Sequence, residues 1–526
     1  MVDPLVVDLS RIQFAATAMY HFLFVPLTIG LSFIMAIMES VYVMTGRQVW
    51  RKATIFWGTL FGINFAMGVA TGIVMEFQFG MNWSYYSHYV GDVFGAPLAM
   101  EGLMAFFLEA TLIGLFFFGW DRLKPVTHLI VTWAVAFGAN FSALWILVAN
   151  GWMQNPVGAR FNPDTMRMEI TNFMEVVFNS VAQAKFVHTV SAGYVCGAVF
   201  VLGVSAFYLL RGRHIELAKR SIVVAASFGL ASALSVVVLG DESGYVATEH
   251  QKMKIAAMEA MYHTEPAPAG LTLFAIPGAD GRPEFEVKIP WVLGIITTRS
   301  FDRDLPGITE LTEHAALRIA NGIEAYKSLQ AIKADPEDLV ARAEFDKRQQ
   351  DLGYALLVKK YRPDVENATG EEITQAALDT VPDVWPLFWS FRIMVACGLF
   401  FIGFFALWFY RSAVRKIEKP RWLLWVAVAA LPLPWIAIEL GWLVAEYGRQ
   451  PWVVEGVLPT FYAASGLKVS DLVISLTFFV ALYTALIVVE LFLMVKTIKA
   501  GPSDRFSFGE PPPSAPVEPV TAVKAG

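Results

Sequence analysis

The chain has 526 residues, of which 56% are hydrophobic, 14% aromatic and only 16% charged. Because soluble proteins carry about 25% charged residues, this composition excludes an ordinary soluble domain and predicts an integral membrane protein. The net charge of -6 and the absence of a basic stripe exclude nucleic acid as a partner.

Apolar runs of about 20 residues, the length needed to cross a bilayer, recur along the chain. They lie near residues 13–43, 54–79, 96–119, 126–150, 181–210, 221–240, 386–410, 422–446 and 470–495. We therefore expect an all-α integral membrane protein with about nine transmembrane helices. Because this number is odd, the two termini are expected on opposite sides of the membrane.

The short loops predict the orientation, since cytoplasmic loops are enriched in Lys and Arg. In this chain such residues fall in every second loop: Arg47, Arg51, Lys52, Arg122, Lys124, Arg211, Arg213, Lys219, Arg220, Arg411, Arg415, Lys416, Lys419 and Arg421. The loop FGMNWSYYSHYVGDVFG between them contains neither residue. The N-terminus is therefore expected outside and the C-terminus in the cytoplasm.

A long polar stretch at residues 241–385 separates the sixth span from the seventh and contains helical patterns such as LTEHAALRIANGIEAYKSLQAI. By alternation it is extracytoplasmic, and a loop of this length is usually functional or a small domain. Four regions are thus predicted: six spans in 1–240, this loop in 241–385, three spans in 386–499, and a Pro-rich, disordered cytoplasmic tail in 500–526.

Several residues with metal-binding or acidic side chains lie inside the predicted spans. On the predicted topology the following fall in the outer half of the membrane, on different helices: His21, Glu76, Glu101, His188, Met394 and Glu446. A carboxylate in lipid costs about 3 kcal/mol even on lenient scales, so it needs a proton, a cation or a metal beside it. Groups that converge from separate helices are typical of cofactor sites, and this layer suits redox centres.

The histidines and the methionine also have ordinary structural interpretations. The imidazoles of His21 and His188 suit haem iron, but satisfied core histidines would give the same pattern. Lys185 next to His188 suits a propionate or a carboxylate. Met394 fills a core more often than it binds metal, and Arg392 beside it changes this little by itself.

The carboxylates leave two interpretations open as well. Glu101 and Glu109 lie two turns apart on one helix, which suits a proton relay as well as a pair of structural hydrogen-bonding groups. Glu39 and Glu490, nearer the cytoplasmic ends, are expected at the membrane interface.

At the end of the eighth run, Glu439 and Glu446 share a helix face. Arg449, just beyond it, is either a helix cap or a partner for the propionates of a macrocycle. Position in the sequence does not choose between these roles.

Long motifs resemble subunit I of the bacterial cytochrome bd quinol oxidases over nearly the whole chain. They are AMYHFLFVPLTIG, GINFAMGVATGIVMEFQFGMNWSYYSHYVGDVFGAPLAMEGLMAFFLE, NFSALWILVANGWMQNP, KFVHTV, VLGDESGY, FRIMVACG and EYGRQPW. The resemblance implies the haem-bearing catalytic subunit of a respiratory terminal oxidase in the bacterial inner membrane. Such an enzyme oxidises ubiquinol or menaquinol at the periplasmic face and reduces dioxygen to water with cytoplasmic protons, so that proton motive force arises without pumping.

Matched residue by residue, the resemblance implies three haems. The positions that match iron ligands are His188 and Met394 for a low-spin haem b, Glu446 for a high-spin haem b and His21 for haem d. Arg392 lies beside the first haem, and Trp442 and Arg449 beside the second. Which of His21 and Glu446 ligates which high-spin haem depends on the family member used as the guide.

The resemblance also implies routes for protons and quinol. Glu101 matches a carboxylate at the haem d site, and Glu109 with Ser142 matches the proton route leading there. Lys254 and Glu259 match quinol-binding positions of the long loop, which the family calls the Q loop. A subunit II and a small single-helix subunit are the implied partners.

The competing hypothesis from topology alone is a proton-coupled membrane transporter. It explains intramembrane carboxylates, a large outer loop and a helix broken near Pro432 and Pro434. It does not explain imidazole and thioether groups in one layer. A purely structural membrane subunit would leave the costly carboxylates without a task.

Overall fold

The computed structural model describes residues 3–278, 283–503 and 506. Within them, nine helical segments are long and apolar enough to cross a membrane. In chain order, spans 1 to 9 are Pro4–Thr45, Gln48–Met81, Ser84–Phe118, Pro125–Gln154, Phe173–Leu210, Ile215–His250, Val384–Ala413, Arg421–Tyr447 and Val469–Ala500. The all-α membrane fold is thereby confirmed, and each predicted apolar run coincides with one of these segments.

Four spans are built from more than one helix. Span 1 comprises Pro4–Phe22 and Val25–Thr45, and span 5 comprises Phe173–Val177 and Ser180–Leu210. Span 3 comprises Ser84–Met100, a π-helical stretch Glu101–Phe106 and Phe107–Phe118. Span 8 comprises Arg421–Ala429, Leu433–Trp442 and a π-helical stretch Leu443–Tyr447. Proline, which lacks an N–H group, explains the break in span 8 at Pro432.

The break in span 1 exposes backbone carbonyls that lipid could not satisfy. Neighbouring helices supply the missing donors: the indole nitrogen of Trp435 donates to the carbonyl of Leu23 at 2.8 Å, and Nδ2 of Asn64 donates to that of Phe24 at 2.7 Å. The break is therefore fixed by spans 8 and 2. It lies directly after His21, whose position is fixed with it.

A close helix contact holds spans 1 and 5 together at the core. A Cβ built on Gly30 would lie 2.7 Å from the backbone nitrogen of Gly197, a distance that no side chain tolerates. The surrounding apolar cluster draws its residues from several spans, among them Leu31, Trp57, Val199 and Phe405, all of them buried. Only glycine lets the two backbones approach this closely.

Glu39 and Glu490, expected near the membrane interface, are both buried inside the protein. They are 1% and 7% exposed. Glu39 accepts hydrogen bonds from Nδ1 of His128 at 2.6 Å and from Oγ1 of Thr132 at 2.5 Å, and Nε2 of His128 donates to the carbonyl of Phe116 at 2.9 Å. Partners from span 4 thus bury Glu39, and hydropathy along one helix does not show them.

The segment between spans 6 and 7 folds as a unit, here called the loop domain (residues 251–383). The helix of span 6 continues to His250 and that of span 7 begins at Val384, so both ends of the predicted stretch 241–385 fall within helices. Its α-helices are Lys252–Met258, Val292–Thr298, Ile308–Ala334, Leu339–Arg348, Leu352–Leu357 and Gly370–Leu378. The 3-10 turns are Gln349–Asp351, Val358–Lys360 and Val365–Asn367.

Three antiparallel hairpins complete the described structure. They pair Ala159–Asn162 with Arg167–Ile170, Leu271–Pro277 with Pro283–Ile289, and Trp452–Val454 with Leu458–Pro459. A short helix, Thr460–Ala463, follows the last hairpin. Most of the tail predicted for 500–526 lies outside the described residues.

The contact between Gly30 and span 5 yields a stability prediction. Gly30→Ala forces the two helices apart and is expected to lower the free energy of unfolding by about 1–3 kcal/mol. The measurement is the thermal melting temperature of the detergent-solubilised protein. The matched control is Gly91→Ala, also within a helix, where a built Cβ meets nothing within 4 Å. Equal melting temperatures for the two variants would contradict this packing.

Candidate functional site

The most heavily paired carboxylate in the spans is Glu446, in the π-helical stretch that ends span 8. Its Oε1 accepts hydrogen bonds from Nδ2 of Asn150 at 3.0 Å and from Nε2 of Gln154 at 3.1 Å, and lies 3.5 Å from Nζ of Lys185. Its Oε2 accepts from Nη2 of Arg449 at 2.5 Å. Two amides of span 4, a lysine of span 5 and an arginine just after span 8 therefore compensate one half-buried charge.

The same network continues into the loop domain through Lys254. Its Nζ donates to Oε1 of Gln154 at 3.0 Å, to Oε1 of Gln251 at 2.8 Å and to the carbonyl of Ala445 at 2.9 Å. Gln251 in turn donates to Oε2 of Glu455 at 3.3 Å. Burial lowers the pKa of Lys254 well below its usual range, while these three acceptors hold its ammonium form in place.

A cavity of about 760 Å³ lies where the loop domain meets the ends of spans 4, 6 and 8. Lys254, Gln154, Arg449, Gln251 and Glu455 all line it. The Glu446 network is therefore reached from the loop-domain side through this cavity.

Trp442 lies between two of the predicted ligand groups. Its ring packs edge-to-face against Phe22, the neighbour of His21, with the ring centroids 4.5 Å apart. Nζ of Lys185, which pairs with Glu446, lies 5.6 Å from the Trp442 centroid. One aromatic side chain thus connects the surroundings of His21 with those of Glu446.

His188 and Met394 each face a glycine on the next helix. A Cβ built on Gly240 of span 6 would lie 3.1 Å from Cε1 of His188, and one built on Gly441 of span 8 would lie 3.0 Å from Sδ of Met394. Span 7 packs against both of these helices. Because these two positions are glycines, spans 6 and 8 can approach the imidazole and the thioether closely. The sequence alone does not show this proximity.

The imidazole of His21 makes its hydrogen bond with a threonine of span 2. Its Nδ1 lies 2.9 Å from Oγ1 of Thr71, and that hydroxyl donates to the backbone carbonyls of Met67 and Gly68. Thr71 therefore accepts a hydrogen bond from Nδ1 of His21. This tautomer leaves the lone pair on Nε2 free to bind a metal.

Arg392 and Glu259 form a second buried ion pair, with Nη2 of Arg392 2.9 Å from Oε2 of Glu259. Arg392 also donates to the backbone carbonyls of Met258 and Thr272 at 2.8 and 2.6 Å. Burial raises the pKa of Glu259 to about 7, although Arg392 opposes the shift. Glu259 and Lys254, predicted as one quinol site, thus lie in separate polar groups.

Glu101 and Ser142 are brought together across spans 3 and 4, as the predicted proton route requires. Oγ of Ser142 donates to Oε1 of Glu101 at 2.7 Å. Glu109 is buried and faces Gly138 of span 4, while Glu76 and Glu109 both interact electrostatically with Glu101. Glu101 begins the π-helical stretch of span 3, and such stretches are frequent at functional sites.

Several buried polar atoms at this site lack a hydrogen-bond partner within the described part of the chain. They are Nδ1 of His188, Nε and Nη1 of Arg449, Oε1 of Glu109, Oε1 of Glu259 and both oxygens of Glu439. Buried polar atoms are normally satisfied. Such atoms therefore indicate where a further group belongs.

Sequence reasoning missed the amides Asn150, Gln154 and Gln251 and the carboxylate Glu455. The first two lie four residues apart in NGWMQNP, a spacing that places them on one helix face. That spacing was the available signal. Glu455, nine residues after Glu446 in an extramembrane hairpin, carried none.

A family model described as cytochrome bd terminal oxidase subunit I matches residues 9–502. The chain belongs to this family. Cytochrome bd-II ubiquinol oxidase subunit 1 of Escherichia coli (strain K12) is 52% identical over 95% of this chain and 97% of that protein. Cytochrome bd ubiquinol oxidase subunit 1 of Bacillus subtilis (strain 168) is 36% identical over 94% of this chain and 93% of that protein.

A solved structure, the bd oxidase from Geobacillus thermodenitrificans, shares the fold with a TM-score of 0.77. The match has 24% sequence identity and covers 95% of this chain and 100% of that one. Membership of the cytochrome bd family confirms the resemblance seen in the motifs. It makes haem the expected prosthetic group, and it replaces the transporter hypothesis with that of an oxidase.

The Glu446 network predicts that Gln154 stabilises this cytochrome bd subunit. Gln154→Leu removes a donor to Glu446 and an acceptor of Lys254, and is expected to lower the free energy of unfolding by about 1–3 kcal/mol. Thermal melting of the solubilised protein measures the effect. Gln48→Leu, at an exposed position at the start of span 2, is the control and should melt like the wild type.

Proposed function

We propose that the chain is the haem-bearing catalytic subunit of a terminal oxidase that oxidises quinol on the loop-domain side of the membrane. Dioxygen is reduced to water with protons from the opposite side. The observation that carries the proposal is the position of Trp442: it contacts the neighbour of His21, lies beside the lysine paired with Glu446 and follows Gly441, which faces Met394. Trp442 thus adjoins residues that neighbour or pair with three candidate ligand groups.

The residues present fit haem. His188 and Met394 are a donor pair suited to a low-spin haem b, Glu446 suits a high-spin haem b, and His21, with Nε2 free, suits haem d. Arg449 has two buried donors without partners in the described structure, which suits a propionate. When bound, the haems supply electron transfer and the reduction of dioxygen.

We assign the quinol to the region around the first helix of the loop domain, where Lys254 and Glu259 face the ends of the spans. Both are buried and lie on either side of Met258, in the first helix of the loop domain and directly after it. Lys254 orients the head group by exchanging one of its three present acceptors for a quinol oxygen. Glu259, with one unpaired oxygen and a pKa of about 7, accepts a proton.

Protons for water formation travel along the seam of spans 3 and 4, through Glu109, Ser142 and Glu101. Taking them up on the side opposite the loop domain and releasing quinol protons on the loop-domain side separates charge without a pump. This makes the reaction electrogenic. The Lys and Arg pattern of the loops supports a periplasmic N-terminus and loop domain, and a cytoplasmic C-terminus.

A subunit II and a small single-helix subunit complete the proposed enzyme in the bacterial inner membrane. Spans 3 and 9 support this, since only 12% and 11% of their most apolar windows are buried within the chain. Such faces contact either lipid or another subunit. Span 3 also carries Glu101 and Glu109, so that a partner on this face would border the proton route.

The test of the proposal is the reduced-minus-oxidised absorption spectrum of the purified complex. It should show b-type and d-type haem bands, and Met394→Leu should remove the low-spin b band because the iron loses its thioether ligand. Met44→Leu, an exposed methionine at the end of span 1, is the control and should leave all bands unchanged. A colourless, iron-free complex would refute the proposal.

The proton route predicts that Glu109→Gln slows quinol-driven oxygen consumption and proton uptake together. The expected loss is at least about tenfold, since a positioned proton donor typically contributes about 10²–10⁴. Both rates are measured in proteoliposomes. Glu490→Gln, a buried glutamate of span 9 outside this seam, should keep both rates. Full turnover and uptake in Glu109→Gln would exclude the route.

A further inference from the structure

Glu455 is a carboxyl group outside the membrane spans that no motif or resemblance assigns to a task. It follows the strand Trp452–Val454 in the hairpin after span 8, and its backbone nitrogen donates to the carbonyl of Met153 at 2.8 Å. It is half-buried, and it lines the cavity between the loop domain and the span ends. This backbone hydrogen bond to span 4 therefore holds Glu455 at the wall of the cavity.

An unbroken series of hydrogen bonds joins Glu455 to the centre of the site. From Glu446 it runs through Gln154, Lys254 and Gln251 to Oε2 of Glu455, each step between 2.8 and 3.3 Å. Amide side chains do not readily pass protons. Gln251 and Gln154 are therefore positioning residues, and the series sets the place of Lys254 relative to two carboxylates.

The charged groups around Glu455 come from three parts of the chain. Lys254 of the loop domain, Arg449 of the segment after span 8 and Arg318 of helix Ile308–Ala334 all stabilise its carboxylate, and the Tyr354 hydroxyl, which accepts from Arg318, also lies within its electrostatic reach. Burial nevertheless raises the pKa of Glu455 above its ordinary range. Such a carboxyl takes up and releases protons closer to neutral pH than an exposed glutamate does.

The cavity offers a way out for protons. Besides the buried polar groups, it is lined by surface-exposed residues, among them Lys252, His314 and Gln350. The cavity, of about 760 Å³, is large enough to hold water, since a single buried water needs only about 10–15 Å³ of such volume. Glu455 lines it together with these exposed residues, so the cavity connects the Glu455 carboxyl with the surface of the loop domain.

We propose that Glu455 accepts one of the two protons released by quinol oxidation and passes it to the water of this cavity. The inference rests on the proposed function and deepens it. A quinol held by Lys254 becomes a quinone by losing two protons and two electrons: one O–H bond breaks and its proton forms an O–H bond with a Glu455 carboxylate oxygen, the second O–H bond breaks as well, and both electrons would pass to the haems and finally to dioxygen. Glu259, which does not line the cavity, takes the other proton.

The experiment is the pH dependence of kcat/KM for a short-chain ubiquinol, measured with the complete purified complex. If two carboxylates must be free, log kcat/KM on the acid side rises with a slope of about 2, and in Glu455→Gln the slope falls to about 1. At neutral pH the variant should be about tenfold slower. The control is Glu249, which lines the same cavity but is ion-paired with Arg303 at 2.8 Å. Glu249→Gln should keep the wild-type profile.

Oxygen consumption with an artificial electron donor that releases no quinol protons separates this inference from the proposed function. Glu455→Gln should consume oxygen from that donor at the wild-type rate. If wild-type protein shows no haem bands or no oxygen consumption, the proposed function fails. If haem bands and donor activity persist but the slope and neutral rate of Glu455→Gln equal those of the wild type, only the role of Glu455 fails.

A second variant decides the matter if Glu455→Gln does not assemble. Gln251→Leu keeps the carboxyl but removes the hydrogen bond that favours its charged form, which raises its pKa. The acid limb of the quinol profile should therefore move to higher pH. An unmoved limb would overturn the inference.

Discussion

The structure depends on one constraint: a carboxylate placed at the end of a membrane span must be surrounded by groups that compensate its charge. Glu446 meets it with Arg449, Lys185, Asn150 and Gln154. Removing one partner from such a group is costly, because an uncompensated buried charge remains. The need to keep these partners together fixes the relative positions of spans 4, 5 and 8, and through Lys254 it ties the loop domain to them.

Interrupted helices are how the fold brings reactive side chains to defined places. His21 precedes the break in span 1, Glu101 begins the π-helical stretch of span 3, and Glu446 lies in that of span 8. The break in span 1 leaves the carbonyl of Leu23 free to accept from Trp435, and the carbonyl of Ala445, in the last turn of span 8, accepts from Lys254. Irregular backbone is tolerated at membrane depth only where protein supplies the missing hydrogen bonds, and here side chains of other spans do so.

The loop domain is part of the site rather than a cover over it. Its first helix supplies Lys254, which lines the cavity between loop domain and spans, and the residue directly after that helix is Glu259, which pairs with Arg392 of span 7. The two ion pairs that close this region, Glu446 with Arg449 and Glu259 with Arg392, each join groups from segments that contribute predicted ligands. The contacts that hold the loop domain against the spans are therefore the same ones that position the candidate site.

The sequence by itself determined the nine spans, the long loop and the family, because hydropathy and long motifs are local properties of the chain. It also predicted which imidazole, thioether and carboxylate groups are candidate ligands and proton carriers. Only the tertiary structure decided that Glu39 is buried against His128, that Lys254 and Glu259 belong to different polar groups, and that Gln154, Gln251 and Glu455 continue the Glu446 network. The reason is physical: whether a polar side chain in an apolar helix is compensated depends on atoms from other helices, and no pattern along one helix records which atoms those are.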